Sequence, residues 1–137
     1  MHMNIAVKES STSQIALWSG RALSGLVVIF LAFDAGMKII SLPIVAETSV
    51  QLGWPAHLGV TLGILLLGCT LLYAFPRTAI LGAVLLTAYL GGAVATHVRI
   101  ENPLFTHVLF GVYVGAALWG GLYLRDEKLR SLIPWRR

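Results

Sequence analysis

Three stretches of this chain, residues 58–75, 78–98 and 104–124, are apolar and contain no Asp, Glu, Lys or Arg. A hydrocarbon core about 30 Å thick is crossed by roughly 20 helical residues. Inside it the backbone must satisfy its own polar groups, which only helices and closed barrels achieve. The period-two alternation of a membrane barrel is absent, so these runs read as helices. A fourth stretch, residues 17–40, is apolar but interrupted by Arg21, Asp34 and Lys38. The expected fold is all-α, an integral membrane four-helix bundle forming a single domain over residues 1–137. A soluble domain could not hide a composition that is 57% hydrophobic and 12% charged without exposing large apolar patches.

The connections carry turn residues. Pro43 follows the first run, Gly53-Trp54-Pro55 leads into the second, Pro76-Arg77 separates the second from the third, and Asn102-Pro103 separates the third from the fourth. Only the segment 41–57 is long enough for structure of its own, and an interfacial helix is expected there between the first two spans. The first run follows a polar segment and precedes no small-residue cleavage site, which marks it as an uncleaved span.

Four spans put both termini and the Pro76-Arg77 turn on one side. That side holds Lys8, Arg21, Arg77, Arg125, Lys128, Arg130, Arg136 and Arg137, against Lys38 and Arg99 on the other. The asymmetry orients the chain N-in/C-in, with residues 1–14 and 126–137 as cytoplasmic tails. The net charge of +4 thus faces anionic headgroups, and no nucleic-acid partner is expected. Trp18, Trp54, Trp119 and Trp135 fall near span ends, where interfacial anchors sit. Cys69 is the only cysteine, which excludes an intrachain disulfide or dithiol relay.

Small residues recur at four-residue spacing in Gly59/Gly63, Gly111/Gly115 and Ala116/Gly120, with Gly82, Ala88, Gly91, Gly92 and Ala95 in the third span. Such patterns let helices approach closely. They suit contacts within the bundle and leave a homo-oligomer face open.

Ionisable residues in lipid are costly, so their placement is informative. Asp34 and Lys38 lie four residues apart with the acid first, the favourable order for a helical pair. His97 ends the third run, with Arg99 and Glu101 beyond it, and an extended helix would bring His97 to Glu101. Tyr89 lies about two turns below His97, and His57 and His107 open the second and fourth runs. Topology gathers Asp34, Lys38, Glu47, His57, His97, Arg99, Glu101 and His107 at the outer end. Within that group and the span beneath it, Asp34, Lys38, Tyr89, His97, Arg99 and His107 are the candidate ligand-binding residues. Imidazole donors above an apolar bundle suit a polar-headed molecule with an apolar body, such as a quinone. No tight His-x-x-x-His or Glu-x-x-His spacing points to a metal, and no nucleophile elbow, phosphate loop or zinc-protease motif assigns a catalytic residue.

The segment Arg21 to Lys38, with Gly25 and Gly36, resembles the first helix of DoxX-like membrane proteins. Thr87-Ala88-Tyr89-Leu90-Gly91-Gly92-Ala93-Val94-Ala95-Thr96-His97-Val98-Arg99 is similar to that family's third-helix signature. The ending Leu118-Trp119-Gly120-Gly121-Leu122-Tyr123-Leu124-Arg125-Asp126, with Pro134 beyond, also resembles it. The family takes its name from a subunit of a thiosulfate:quinone oxidoreductase. The resemblance implies a four-helix bundle in a bacterial inner membrane, acting as membrane subunit or accessory of a redox system beside a redox partner protein. The alternative reading is a non-enzymatic membrane scaffold or assembly partner with no ligand chemistry.

Overall fold

The computed structural model describes the backbone of residues 2–132 and the side chains of residues 14–132. Every element among them is helical: α1 (His2–Ile39), α2 (Pro43–Gln51), α3 (Leu58–Ala74), α4 (Ala79–Arg99), a π-helical turn (Leu104–Val108), α5 (Phe110–Arg125) and α6 (Glu127–Leu132). Three stretches are long and apolar enough to cross a membrane, Gln14–Ile39, Ala79–Arg99 and Leu104–Arg125, whereas apolar α3 is shorter at 17 residues. The chain is thus an all-α, multi-pass membrane protein. Helix α1 starts well before the expected boundary, so the polar segment 1–14 is helical from His2 onward and continuous with the first span. Trp135 and Pro134 lie outside the described residues.

Helices α1, α3, α4 and α5 pack in a ring, α1 and α4 at opposite corners and each resting on α3 and α5. Their buried positions recur at helical spacing, in steps of three or four residues for the α1 stripe of Gly20, Ser24, Val27, Leu31 and Ala35, and for the α4 stripe of Ala79, Gly82, Leu86 and Leu90 with Ala83 beside it. One narrow face of each helix therefore turns inward. Large apolar side chains point out instead, among them Ile29, Phe33, Ile64, Leu65 and Phe105. In water such a surface would aggregate; in lipid it is the solvated one.

Glycines set the approach of the helices. A Cβ on Gly82 of α4 would fall on the backbone of Leu72 and Tyr73 in α3. On Gly63 of α3 it would sit 2.8 Å from Cβ of Lys38, on Gly111 of α5 2.8 Å from Val94 Cγ2, and on Gly20 of α1 2.7 Å from the Gly121 carbonyl. All four neighbouring pairs in the ring thus meet at a glycine. Gly25, Gly36, Gly91 and Gly92 have open space instead, so the glycine pair of the third span is not a packing contact within the chain.

The end of the bundle that holds the C-termini of α3 and α5 is tied by a polar network. Fully buried Tyr73 donates its hydroxyl to the Leu118 carbonyl at 2.6 Å and meets Ser24 Oγ at 2.9 Å. Arg125 donates from Nε to Ser24 Oγ at 3.0 Å and from Nη2 to the Tyr73 carbonyl at 3.3 Å. The guanidinium also lies 5.3 Å from the centre of the Tyr73 ring. One side chain thereby joins three helices, and the charge that the sequence marks as a basic anchor is also a structural tie.

At the opposite end, two helices stop in a left-handed residue that is not glycine: Ser41 (φ 55°) after α1 and Glu101 (φ 58°) after α4. Each lies in a Schellman closure, with Leu42 N–H bonding the Met37 carbonyl at 3.4 Å and Asn102 N–H bonding the His97 carbonyl at 3.1 Å. Left-handed backbone costs a residue with a Cβ energy that glycine does not incur. Ser41→Gly is accordingly expected to raise stability by about 0.5–1 kcal/mol, read from denaturation in mixed micelles; a loss would contradict the capping account.

Candidate functional site

At the Schellman-capped end the ring opens into a cavity of about 470 Å³ between the diagonal pair α1 and α4, with α5 at its side and α2 over its mouth. Each contribution follows from local sequence. Helix α2 begins with Pro43 at its first turn, where the missing N–H costs nothing. It ends at left-handed Gly53 (φ 85°), and it presents Thr48 and Ser49 to the cavity. From α1 come Asp34 and Lys38; from α4, Tyr89, Thr96 and His97. His107 comes from the π-helical turn, in which Val108 N–H bonds the Pro103 carbonyl at 3.1 Å, five residues back. Such turns occur preferentially at functional positions. Phe30 and Phe110 meet edge to face at 5.6 Å between α1 and α5, and Leu31, Leu62, Leu90 and Val114 complete an otherwise apolar lining.

Of the six ligand-binding candidates, Asp34, Lys38, Tyr89, His97 and His107 line this cavity. Arg99 does not. It borders a smaller recess with Gly53 and Trp54, where its Nη2 donates to the Leu52 carbonyl at 2.6 Å. This arginine closes the end of α2. Glu47, His57 and Glu101 are exposed and line neither space.

The polar groups are already partly committed. Lys38 donates to Asp34 Oδ2 across one helical turn, and its ammonium lies in the last turn of α1, where the helix dipole favours a cation. Thr48 and Thr96 donate their hydroxyl protons to the carbonyls of Ile44 (2.7 Å) and Gly92 (2.8 Å), so each offers the cavity only oxygen lone pairs. His97 does not pair with Glu101, because α4 ends at Arg99 and the left-handed turn carries Glu101 away. The partner is Asn102, whose Nδ2 lies 2.7 Å from His97 Nδ1. The His97 and His107 rings stand edge to face, 5.9 Å apart, with Thr106 Oγ1 2.7 Å from His107 Nδ1.

Among the described residues no group of three or more His, Cys, Asp or Glu side chains converges as a metal site would require. The arrangement offers an apolar volume with a few hydrogen-bonding groups at one end. Sequence reasoning missed Asn102, Thr48, Ser49 and Trp54 as parts of this site. Trp119 Nε1 donates to Thr87 Oγ1 at 2.7 Å, joining α5 to α4.

A family model described as the DoxX-like family matches residues 22–121. No curated protein and no solved structure matches the chain.

Proposed function

This chain belongs to the DoxX-like family, and from that premise we propose that it is a membrane subunit or accessory of a redox system that binds a quinone or a similar polar-headed apolar molecule. The observation that carries the reading is the cavity itself: about 470 Å³ of largely apolar space with Asp34, Lys38, Tyr89, His97 and His107 on its wall. Small-molecule sites have this makeup and size. A scaffold with no ligand would have its outer-end polar side chains bonded to one another over a filled core. Here His97 is bonded away from Asp34 and Lys38, beside an open volume.

The same reading has the bundle cross the bilayer four times in a bacterial inner membrane, with both termini cytoplasmic. Helix α3 supports it: its 17 residues extend about 26 Å and run antiparallel to α1, from the cavity end to the Tyr73 network. The Lys and Arg side chains concentrate at the network end, the cytoplasmic side by the positive-inside rule. Helix α2 then lies at the outer interface.

Trp54 borders the cavity, so binding can be followed by fluorescence. Titrating the purified protein in lipid nanodiscs with a short-chain ubiquinone is expected to give saturable quenching. His97→Leu is expected to weaken it by about tenfold or more, since a hydrogen bond made in an apolar site is worth of that order. Wild-type protein that shows only the linear quenching of quinone dissolved in lipid would overturn the proposal.

A further inference from the structure

We infer that Asn102 is a positioning residue: it holds His97 neutral with its ring proton on Nε2, so that the cavity presents a fixed N–H donor to the carbonyl oxygen of an apolar ligand. The inference rests on the ligand reading above for its function, but not for its geometry. An Asn amide nitrogen carries two hydrogens and accepts nothing. With the amide turned so that Nδ2 lies 2.7 Å from His97 Nδ1, Asn102 donates and Nδ1 holds a lone pair. A doubly protonated ring would set N–H against N–H at this contact, which leaves the neutral ring with hydrogen on Nε2. The flipped amide would set Oδ1 there and require hydrogen on Nδ1, which is the alternative that the test below separates.

The backbone enforces this meeting. Left-handed Glu101 turns the chain back at the end of α4, and Asn102 N–H bonds the His97 carbonyl at 3.1 Å. Main chain and side chain of one residue thus grip the same histidine from below and beside. No buried side-chain nitrogen or oxygen among the described residues lacks a partner. His97 Nε2, which makes no hydrogen bond, is therefore open, on a residue that lines the cavity.

The neighbouring groups fit a ligand acceptor. Tyr89 also lines the cavity, and its hydroxyl is unpaired and open by the same reasoning. Thr48 and Thr96 have spent their protons on backbone carbonyls, and the Asp34 carboxylate is engaged by Lys38. What remains to donate is the His97 N–H, the hydroxyls of Tyr89 and Ser49, the Trp54 indole N–H and the spare hydrogens of Lys38, with the less constrained His107 beside them. A neutral donor in an apolar wall recognises a ketone or quinone oxygen without needing a charge on either side. A site built around such a donor penalises analogues that lack the oxygen, because the N–H is then left unpaired.

The test reads the tautomer directly. Full-length protein with 15N-labelled histidine is placed in nanodiscs, and the His97 ring is assigned by the signals lost in His97→Gln. Wild type is expected to show Nε2 protonated and Nδ1 bare. In Asn102→Asp the new carboxylate can only accept, so the proton is expected to move to Nδ1, or the ring to become doubly protonated. Where the proton moves to Nδ1, Nε2 is left bare and the affinity for a short-chain ubiquinone is expected to drop by about tenfold, whereas a doubly protonated ring keeps its Nε2–H and its affinity. In either case the thermal midpoint moves little. A wild-type ring protonated on Nδ1, or a ring signature unchanged in Asn102→Asp, overturns the inference even if quinone binds. The expected tautomer with no saturable quinone binding to wild type instead overturns the ligand reading, and with it the assigned ligand class.

Discussion

Gly82→Leu is expected to prevent the bundle from assembling. A Cβ at this position already falls on the backbone of Leu72 and Tyr73, and backbone cannot rotate aside as a flexible side chain can. The clash is relieved only by moving α4 off α3. That movement would strip contacts from Tyr73 and Leu86, both fully buried, and strain the hydrogen bonds from Tyr73 to Ser24 and Leu118. Overpacking a dense core by a few methylenes costs about 1–3 kcal/mol. A collision with main chain belongs at or beyond the top of that range, comparable with the whole stability of a small bundle. Gly68→Leu is the matched control: the same residues are exchanged in α3 at a site with open space around it, where leucine would face lipid. Unfolding in mixed micelles should separate the two variants clearly. Equal stability would show that the α3–α4 contact is not as close as described.

The contrast between these two glycines marks how far the sequence could be read. Three uncharged runs made α3, α4 and α5 legible to within a few residues, since a bilayer accepts few other structures, whereas α1 begins at His2, well before its apolar run. Glycine spacing announced close packing without saying which glycines would pack. Gly91 and Gly92 stand in open space and Gly82 does not, a distinction made by helix rotation, which a lone apolar helix in lipid does not encode. Five of the six ligand-binding candidates share one cavity because topology sends the ends of α1, α4 and α5 to one place. The rest depended on local backbone choices with weak sequence signals. Glu101 is an unusual residue for a left-handed cap, so the sequence leaves open whether the helix continues far enough for His97 to meet Glu101. The turn it makes instead delivers Asn102. The π-helical turn that places His107 carries no composition cue. The Arg125 network joins residues about fifty and a hundred positions apart, which no local pattern reveals.

Lys38→Met is the second substitution expected to act strongly, and its meaning lies in its comparison with a double variant. Asp34 sits one turn deeper than Lys38, on a helix whose outer faces are apolar, and Lys38 is its ion-pair partner. Removing the ammonium leaves a carboxylate that must either stay charged in poorly solvating surroundings or take up a proton. Breaking a fully buried pair typically costs about 3–5 kcal/mol. Here both side chains border an open cavity rather than a packed core, so about 1–3 kcal/mol is the reasonable expectation. Met keeps the length of the Lys38 stem, whose Cβ packs against Gly63, so the loss reports charge rather than packing. Adding Asp34→Asn removes the stranded carboxylate, and the Asp34→Asn/Lys38→Met variant is expected to recover most of the lost stability. If Lys38→Met were as stable as wild type, the pair would contribute nothing to the fold. Asp34 and Lys38 would then be held in the cavity wall by function alone, which would strengthen the case that the ligand meets them directly.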